Sequence, residues 1–381
     1  MKIRDIRTTI IQVPTHTPIL WAGGRWNGLN NVLIEVDTDD GLTGYGEALG
    51  RSAGSVEVVR TAIESAKRVF LGQTVWDIEA LIHRFYTTWG HWDVLRRVGN
   101  LAFSGVEMAL WDLIGKAHNA PIHRFFGGKV RDRIDFFYYV MKKGDAEEMA
   151  QDAARGAAAG FNVFYVKVGY GQDEDERIVQ ALRSAIGKQA KIRIDAVDAW
   201  DVATAIRMVN RLAPYDLDWV EQPVPHWDVD GMARVRRAVP VAVAAHQGVW
   251  TAFDVLEIIK KEAADVLVVE PLWNGGLLAY KKIAAMAETA GLKVCKHSLE
   301  FGLGTCAAMH VSAGLLNLTA GSQIYTPQLT DDIVQTPSMT LEHGALPIPE
   351  GPGIGVTLDF DKIAAFARNY QEQGECVSEE R

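Results

Sequence analysis

Polar or ionisable residues end seven short apolar runs at nearly even spacing along the chain. They are Lys167, Asp195, Glu221, His246, Glu270, His297 and Gln323. By subtraction, the successive intervals are 28, 26, 25, 24, 27 and 26 residues. Lysine, histidine and carboxylate side chains that meet in one place can transfer protons and bind a metal ion. The spacing therefore predicts an acid–base and metal site that is assembled from many parts of the chain.

Short runs rich in valine and isoleucine lead into these residues, and helical segments separate them. VFYV precedes Lys167 and DVLVV precedes Glu270, which is typical of buried parallel strands. Between the runs, segments such as VATAIRMVNRLA carry apolar residues with the period of an amphipathic helix. Repetition of one strand and one helix favours a (β/α) barrel, in which the carboxyl ends of the strands converge on one face.

The first 125 residues do not follow this repeat. IRDIRTTIIQV and NVLIEVDTDDGLTGYGEA resemble two antiparallel strands, and three helical stretches follow them. The first barrel strand is predicted over residues 135 to 140 and the eighth near Ser322 to Tyr325. The tail after the eighth strand is rich in proline and glycine, and we expect it to pack back on the amino-terminal domain. The predicted boundaries are 1–125 for an amino-terminal α+β domain, 126–325 for the barrel and 326–381 for the tail.

A glycine-flanked aromatic segment, THTPILWAGGRWNGLN, separates the first two predicted strands. Such connecting loops often close over ligands, which makes Trp21, Arg25 and Trp26 candidate lid and substrate-binding residues. A surface loop with one tryptophan anchored in the core explains the same residues equally well. The tryptophan-, histidine- and arginine-rich segment at 89 to 99, which includes His91, is interpreted as a helix-packing or subunit contact.

Composition narrows the class of protein. The 381 residues carry a formal net charge of −9, and the pI is near 5.6, which argues against a nucleic-acid or anionic-membrane surface. No uncharged apolar run is long enough to span a bilayer, and the amino terminus lacks the apolar core of a signal peptide. Cys295, Cys306 and Cys376 are too few and too scattered for a disulfide framework. These features predict a cytoplasmic protein with no membrane and no nucleic-acid partner.

Several longer motifs resemble the enolase superfamily, in its mandelate racemase/muconate lactonising group. The motifs, in chain order, are SGVEMALWDLIGK, FFGGKVRD, FYVKVGYG, IRIDAVDAW, DWVEQPV, ADVLVVEPLWNGGL, KHSLEFGLG and PEGPGIGV. They cover nearly the whole length. The resemblance implies an α/β fold: a modified (β/α)7β TIM-like barrel with an amino-terminal α+β capping domain that the carboxy-terminal segment completes.

The resemblance also implies a reaction, in which the α-proton of a carboxylate substrate is removed and one divalent metal ion stabilises the resulting enediolate. Lys167 matches the second lysine of the family's K-x-K motif and would be a base on one face of the substrate. His297, backed by Glu270, matches the family's His–Asp dyad and would act on the other face. Asp195 and Glu221 match the first two metal ligands. The family ion is Mg²⁺.

The chain departs from the family pattern at four places. His246, with Gln247 next to it, stands at the third ligand position, where the family usually has a carboxylate; an imidazole suits Mn²⁺ or a softer ion better than Mg²⁺. Tyr165 replaces the first lysine of K-x-K and supplies a hydroxyl without a charge. Val197 stands where relatives often carry asparagine. Instead of the usual glutamate on the eighth strand, Gln323 and Tyr325 are the candidate substrate contacts.

These residues favour a lyase, the dehydration of a small hydroxy or sugar acid, with an isomerase reaction, racemisation or epimerisation, close behind. Cycloisomerisation of a lactone or unsaturated acid is a further reading, because it uses the same enolate chemistry. The altered residues also leave open a catalytically silent binding protein. The family commonly forms dimers or octamers, so a homo-oligomer is expected without a defined number of subunits.

Overall fold

In the computed structural model, which describes residues 1–50, 55–89, 93–376 and 379–380, the chain begins with an antiparallel sheet. Its strands are β1 (Ile3–Trp21), β2 (Gly24–Thr38) and β3 (Thr43–Gly50). Three helices follow, α1 (Ser55–Phe70), α2 (Ile78–Thr88) and α3 (Asp93–Ala117), as the sequence predicted. Residues 90 to 92, which include His91, lie outside the described residues.

The prediction of a connecting loop between the first two strands is wrong. β1 pairs with β2 as far as Trp21 opposite Gly24, so that only Ala22 and Gly23 form the turn. The aromatic segment is therefore the outer half of a long β-hairpin. The register of this pairing shifts between Pro14 and Ile19. The shift accommodates proline, which has no backbone N–H to donate to the ladder.

Close packing of α3 on β3 explains the glycines that these two elements carry. A Cβ at Gly46 would collide with the backbone oxygen of Gly105, and one at Gly44 would collide with that of Ala109. Only glycine allows these two backbones to approach so closely. This packing fixes the position of Glu47, which follows Gly46 and points towards the barrel.

Seven parallel strands form the barrel, and each is hydrogen-bonded to the next in chain order. The strands are β5 (Tyr138–Val140), β6 (Val163–Lys167), β7 (Lys191–Asp195), β8 (Leu217–Glu221), β9 (Ala242–Ala245), β10 (Val266–Val269) and β11 (Lys293–Lys296). The helices after them are α4 (Ala146–Ala158), α5 (Gln172–Ile186), α6 (Val202–Leu212), α7 (Val229–Ala238), α8 (Ala252–Lys260), α9 (Pro271–Asn274), α10 (Leu277–Thr289) and α11 (Gly302–Ser312). Short 3₁₀ helices lie at Ile122–Phe126, Ala213–Tyr215 and Thr326–Gln328.

The first and eighth strands differ from their predicted extents. β4 (Arg133–Asp135) leaves the barrel and pairs with β13 (Ala345–Pro347), so the first barrel strand is shorter than predicted. The eighth segment closes the barrel through single bridges and hydrogen bonds instead of a regular ladder. Ser322 accepts from the Phe137 amide at 3.0 Å, and the Gln323 amide donates to Lys296 at 2.8 Å.

The carboxy-terminal segment returns to the first sheet. It contains β12 (Val334–Thr336), β14 (Thr357–Leu358), α12 (Phe360–Gln373) and β15 (Glu379–Glu380). β15 pairs with β2, and the Tyr370 hydroxyl donates to Glu57 of α1 at 2.9 Å. The predicted architecture, a (β/α)7β barrel with a capping domain, is confirmed. Across the described ranges, none of the helices has the length and apolar content needed to cross a bilayer.

Candidate active site

The alternation of side chains along each strand aims the predicted residues into the barrel. The floor of the interior is an apolar cluster of Trp219, Ala242, Ala244, Val266, Val268 and Cys295. Glu221, His246, Glu270 and His297 each stand two residues after a member of this cluster, and side chains two apart share a face of a strand. They form the next layer at the carboxyl ends of the strands, where barrel active sites lie.

Lys167 and Asp195 form a buried ion pair on one side of this layer. The Lys167 Nζ lies 2.6 Å from Asp195 Oδ2, and the two residues pair across β6 and β7. The Tyr165 hydroxyl donates a short hydrogen bond to the same carboxylate oxygen and lies 3.3 Å from Lys167 Nζ. Tyr165 therefore contacts the lysine and the carboxylate directly.

Glu221 and His246 form the next contact around the barrel. The His246 Nδ1 lies 2.8 Å from Glu221 Oε1, and both side chains are buried. The side chain of Gln222 accepts the His246 backbone N–H at 3.0 Å, which fixes the backbone that carries the imidazole. Val197 and Gln222, just beyond the ends of β7 and β8, have φ values of 47° and 38°. Such left-handed backbone stores strain and is typical of functional loops.

His297 and Glu270 form a His–carboxylate dyad. The His297 Nδ1 lies 3.0 Å from Glu270 Oε2, while the Leu272 amide donates to the other Glu270 oxygen at 3.1 Å. The Trp273 ring stacks on His297 at 5.5 Å between centroids, and the His246 ring lies 4.1 Å from that of His297. The carboxylate directs the Nε2 edge of His297 away from itself, so this edge can exchange a proton with a bound molecule.

The strands that carry Lys167 and His297 lie on different sides of the barrel. Four strands separate β6 from β11 in one direction; β5 and the eighth segment separate them in the other. The contacts Lys167–Asp195, Glu221–His246 and His246–His297 follow the longer arc. An amine and an imidazole thus flank one mouth, with two carboxylates and a second imidazole between them.

Phenols line the shorter arc. Tyr139 is paired with Tyr165 across β5 and β6, and their rings meet edge to face at 5.3 Å. Tyr325 follows the closing segment, two residues after Gln323, and all four side chains are buried. Within the part of the chain that the structure describes, the hydroxyls of Tyr139 and Tyr325 have no hydrogen-bond partner. Buried hydroxyls without a partner are costly, and a bound polar ligand would satisfy them.

The hairpin tip contacts the loop that follows Lys167. The Tyr170 hydroxyl donates to the Leu20 carbonyl at 3.0 Å, and a Cβ at Gly169 would lie 3.0 Å from the Cβ of Ala22. Trp21 and Trp26 lie side by side near the tip, with ring centroids 4.4 Å apart. Arg25 is exposed and lies opposite Glu379 of the terminal strand. The hairpin therefore reaches the mouth, while Arg25 faces solvent.

Burial dominates the electrostatics of the carboxylates. It raises the pKa of Glu221 to about 7, against the opposing effect of Lys167. The pKa of Asp195 is also raised by burial, although the Lys167 ammonium lowers it. Burial and the nearby Glu300 carboxylate raise the pKa of Glu270 well above its ordinary value. A cation placed among these groups would offset the cost of their charge.

The donor set of Asp195, Glu221 and His246 fits a divalent ion in its chemistry, with hard oxygens and one imidazole. Among the described residues, however, no three His, Cys, Asp or Glu side chains have their donor atoms arranged around one point. Asp195 contacts Lys167, and Glu221 contacts His246. Ligation of one ion by all three side chains therefore requires that they move from these positions.

Sequence reasoning missed several residues of this region. Tyr139 is paired with Tyr165, and both side chains point into the barrel. The alternation of side chains along DFFYYV could have predicted this orientation. Trp273 follows Glu270 in a short helix and stacks on the dyad, a placement that no motif predicted. Glu47 and Asn31 of the capping domain reach the segment after His297, and only the fold shows this contact.

Two family models match the chain. "Mandelate racemase / muconate lactonizing enzyme, N-terminal domain" covers residues 5–127, and "Enolase C-terminal domain-like" covers residues 148–362. The chain belongs to the enolase superfamily, in its mandelate racemase/muconate lactonising group. The sequence resemblance is thereby confirmed.

Named relatives carry out different reactions. The chain is 31% identical to a chloromuconate cycloisomerase of Cupriavidus pinatubonensis over 89% of its own length and 91% of the relative. It is 30% identical to an arabinonate dehydratase of Saccharolobus solfataricus, over 86% and 88%. A dipeptide epimerase of Enterococcus faecalis, solved with Mg and a dipeptide, superimposes with a TM-score of 0.87 at 26% identity, over 94% of this chain and all of that one. These relatives are enzymes, and the silent-protein alternative has no support from them.

Proposed function

We propose that the protein removes the α-proton of a small hydroxy acid with the aid of a divalent ion and expels the neighbouring hydroxyl as water. The observation that carries this proposal is the shared barrel mouth, in which Lys167 and the His297–Glu270 dyad flank the carboxylates of Asp195 and Glu221. α-Protons next to a carboxylate are so weakly acidic that a base needs help from nearby positive charge. A proton donor on the opposite side then assists departure of the hydroxyl.

Lys167 is the proposed base. Its amine must lose a proton and release Asp195 before it can accept the α-proton. His297 is the proposed acid: with Nδ1 held by Glu270, its Nε2 passes a proton to the leaving β-hydroxyl, which departs as water. Because an acid sugar also carries a hydroxyl on the α-carbon, the product of this step is an enol. The enol then tautomerises to a 2-keto acid.

Asp195, Glu221 and His246 are the proposed metal-holding residues. The contact between His246 and Glu221 supports His246 over Gln247 as the third. When bound, a divalent ion would offset the second negative charge that develops on the substrate carboxylate. Mg²⁺ follows from the relatives, since the epimerase was solved with Mg. The imidazole supports Mn²⁺ or a softer ion as the better fit.

The phenols on the shorter arc support a hydroxylated substrate. Tyr139, Tyr165 and Tyr325 offer neutral hydroxyls there. A second substrate carboxylate among these phenols would be desolvated next to Asp195, whereas a hydroxyl would be hydrogen-bonded. Gln323 offers an amide on the same wall, and Trp21 and Trp26 at the hairpin tip would cover the bound molecule, with Arg25 at the rim.

Epimerisation or racemisation is the second candidate. Its specific support is the position of Lys167 and His297 on different sides of the mouth, because such a reaction removes a proton from one face and returns one to the other.

The state of the cysteines supports a reducing cytoplasm, since Cys295 and Cys306 are buried free thiols. A homo-oligomer is proposed on family likeness alone.

Purified protein with Mg²⁺ or Mn²⁺ should convert members of an acid-sugar panel to 2-keto acids, which semicarbazide absorbance detects. Optical rotation would detect epimers, and loss of a lactone would detect cycloisomerisation. Lys167→Met should lower kcat by about 10²–10⁴-fold. The control is Lys191→Met, which removes an exposed lysine at the opposite end of β7. Equal activity of the two variants, or no turnover of any panel member, would contradict the proposal.

A further inference from the structure

Two buried residues of the capping domain form a polar pair next to the barrel. The Asn31 side-chain amide donates to Glu47 Oε1 at 2.6 Å, and the exposed fractions of the two residues are 0% and 1%. Asn31 also accepts the Gly50 amide at 3.2 Å. The pair is thus fixed within the sheet of the capping domain before it contacts the barrel.

This pair binds the segment that follows His297. Asn31 donates to the Leu299 carbonyl at 3.0 Å, and Glu47 accepts the amides of Phe301 at 2.8 Å and Gly304 at 3.1 Å. Three hydrogen bonds from the capping domain therefore hold residues 299 to 304, which begin two positions after the imidazole. Backbone hydrogen bonds to a buried carboxyl group are strong and directional.

Glu300 connects this segment to both neighbours of His297. It forms a short ion pair with Lys296 and accepts the Ser298 hydroxyl at 2.9 Å. The Leu299 amide donates to its other oxygen at 2.9 Å. The residues on either side of His297 are therefore held by a single carboxylate. That carboxylate lies in the segment that Glu47 holds.

Charge in this network is unbalanced. Glu47, Glu270 and Glu300 are buried carboxyl groups, and Lys296 places a buried ammonium group beside Glu300. Burial raises the pKa of Glu47 to about 8, and the charge of Glu300 adds to the rise.

We propose that Glu47, oriented by Asn31, is a positioning residue for His297: the capping domain sets the place of the imidazole through residues 299 to 304. The inference rests on the proposed function, in which His297 transfers a proton. It implies that the capping domain controls the acid–base step on the His297 side and not only access to the mouth. Lys167, on β6, lies outside this network.

Glu107 provides a matched control. It is also a buried capping-domain carboxylate, and one of its oxygens accepts the Leu277 amide at 2.8 Å. The other accepts the Leu278 amide at 3.0 Å and the Trp111 ring N–H at 2.6 Å. Glu47 likewise has one donor on one oxygen and two on the other. In both residues a Glu→Gln change turns one acceptor into a donor, but Glu107 holds the start of α10 instead of the segment that follows His297.

Glu47→Gln should lower the rate of the His297-dependent proton transfer by about 10²-fold, as expected for a displaced catalytic group. Substrate KM and the exchange of the α-proton at the Lys167 face should stay near wild type. Glu107→Gln should retain both rates. Asn31→Ser, which loses the bond to Leu299, should show a smaller effect in the same direction and serves if Glu47→Gln does not fold.

Imidazole ¹⁵N resonances give a readout that does not need turnover. With the His297 signal assigned from His297→Asn, Glu47→Gln should change its tautomer balance or broaden it, and Glu107→Gln should leave it unchanged. An unchanged His297 signal in Glu47→Gln, or equal loss of activity in both Gln variants, overturns the proposal. A wild-type enzyme without any α-proton exchange would refute the proposed function, while the resonances would still decide the role of Glu47.

Discussion

At the scale of single residues, the dyad depends on a carboxylate that is kept from water. Glu270 holds Nδ1 of His297 at 3.0 Å and is fixed in turn by the Leu272 amide. Glutamate has one more methylene than the aspartate of the family's dyad, and the short helix α9 brings its carboxylate into contact with the imidazole. The contact between carboxylate and imidazole is therefore kept with the longer side chain.

Glu270→Gln should keep the shape of the dyad and remove its negative charge. Because the amide no longer favours the imidazolium, we expect kcat to fall by about 10²–10⁴-fold with a smaller change in KM. Steady-state kinetics on the best panel substrate would measure this. Activity within a factor of about two of wild type would show that Glu270 has no role in proton transfer.

Tyr139→Phe should weaken binding of hydroxylated substrates. Loss of one neutral hydrogen bond, worth about 1 kcal/mol, corresponds to a KM increase of about 5-fold. Tyr138→Phe is the control, since the neighbouring hydroxyl points outward and donates to Asp152 at 2.9 Å. If both variants bind the substrate as wild type does, the phenol wall is not the substrate contact.

The pattern of apolar runs in the sequence was sufficient to predict the site residues that follow a strand. Lys167, Asp195, Glu221, His246, Glu270 and His297 were predicted because each interrupts an apolar run, and the structure places them on one layer. Their roles stay predictions. Tyr139 was missed because an aromatic residue does not interrupt such a run. Glu47 was missed because its contact with Phe301 spans 254 positions, and no local pattern encodes a partner so far away.

At the scale of elements, the hairpin β1–β2 and the loop after β6 are in contact across the mouth. Gly169, at φ 97°, lies against Ala22 and Ala199. The Tyr170 hydroxyl donates to the Leu20 carbonyl and thereby holds the end of β1. The loop that follows the proposed base is thereby coupled to the element proposed to cover the substrate.

Gly169→Ala should displace the hairpin tip, because its Cβ would lie 2.8 Å from that of Ala199 and 3.0 Å from that of Ala22. We expect KM to rise more than kcat falls, since the lid moves while the base stays on β6. Gly171→Ala carries a left-handed backbone of φ 145° as well, but its Cβ would meet no atom within 4 Å. Comparable kinetics of the two variants would assign the effect to backbone strain alone.

The sequence predicted elements best where they are regular. Six barrel strands and their helices follow the apolar period closely. The first strand, the eighth segment and the hairpin did not. β4 pairs outside the barrel, single bridges replace a ladder in the eighth segment, and the hairpin ladder continues after a shift in register between Pro14 and Ile19. These pairings depend on distant neighbours. Turn-forming residues in the segment THTPILWAGGRWNGLN favoured a loop, and the sheet overrode that local preference.

At the scale of the whole molecule, buried carboxyl groups join the capping domain to the barrel. Glu47 and Glu107 both stand at this junction, and burial raises their pKa values to about 8 and about 7. The amino-terminal family model ends at residue 127, and the other begins at residue 148. The domain boundaries at 125 and 325 stay predictions.

Stability should fall as the pH rises. The folded-state pKa values of Glu47 and Glu107 lie above the unfolded value of 4.5. Their contribution to stability is therefore fully present below pH 4.5 and is lost as the pH rises through about 7 for Glu107 and about 8 for Glu47. Urea unfolding between about pH 5 and about pH 9 would measure it. The double Gln variant should show a flatter profile, and an equally steep one would contradict the assignment.

Hydrogen exchange in D₂O follows the proposed removal of the α-proton. With a divalent ion and each epimer of the best hydroxy acid, the wild-type enzyme should exchange the α-hydrogen of the remaining substrate for deuterium, and the 2-keto acid should carry deuterium at the β-carbon, as NMR would detect. Lys167→Met should abolish exchange from one epimer, and His297→Asn should abolish or slow the reaction step on the other face. Wild-type protein that turns over its substrate in D₂O and leaves deuterium in neither the remaining substrate nor the product would contradict the proposed proton removal.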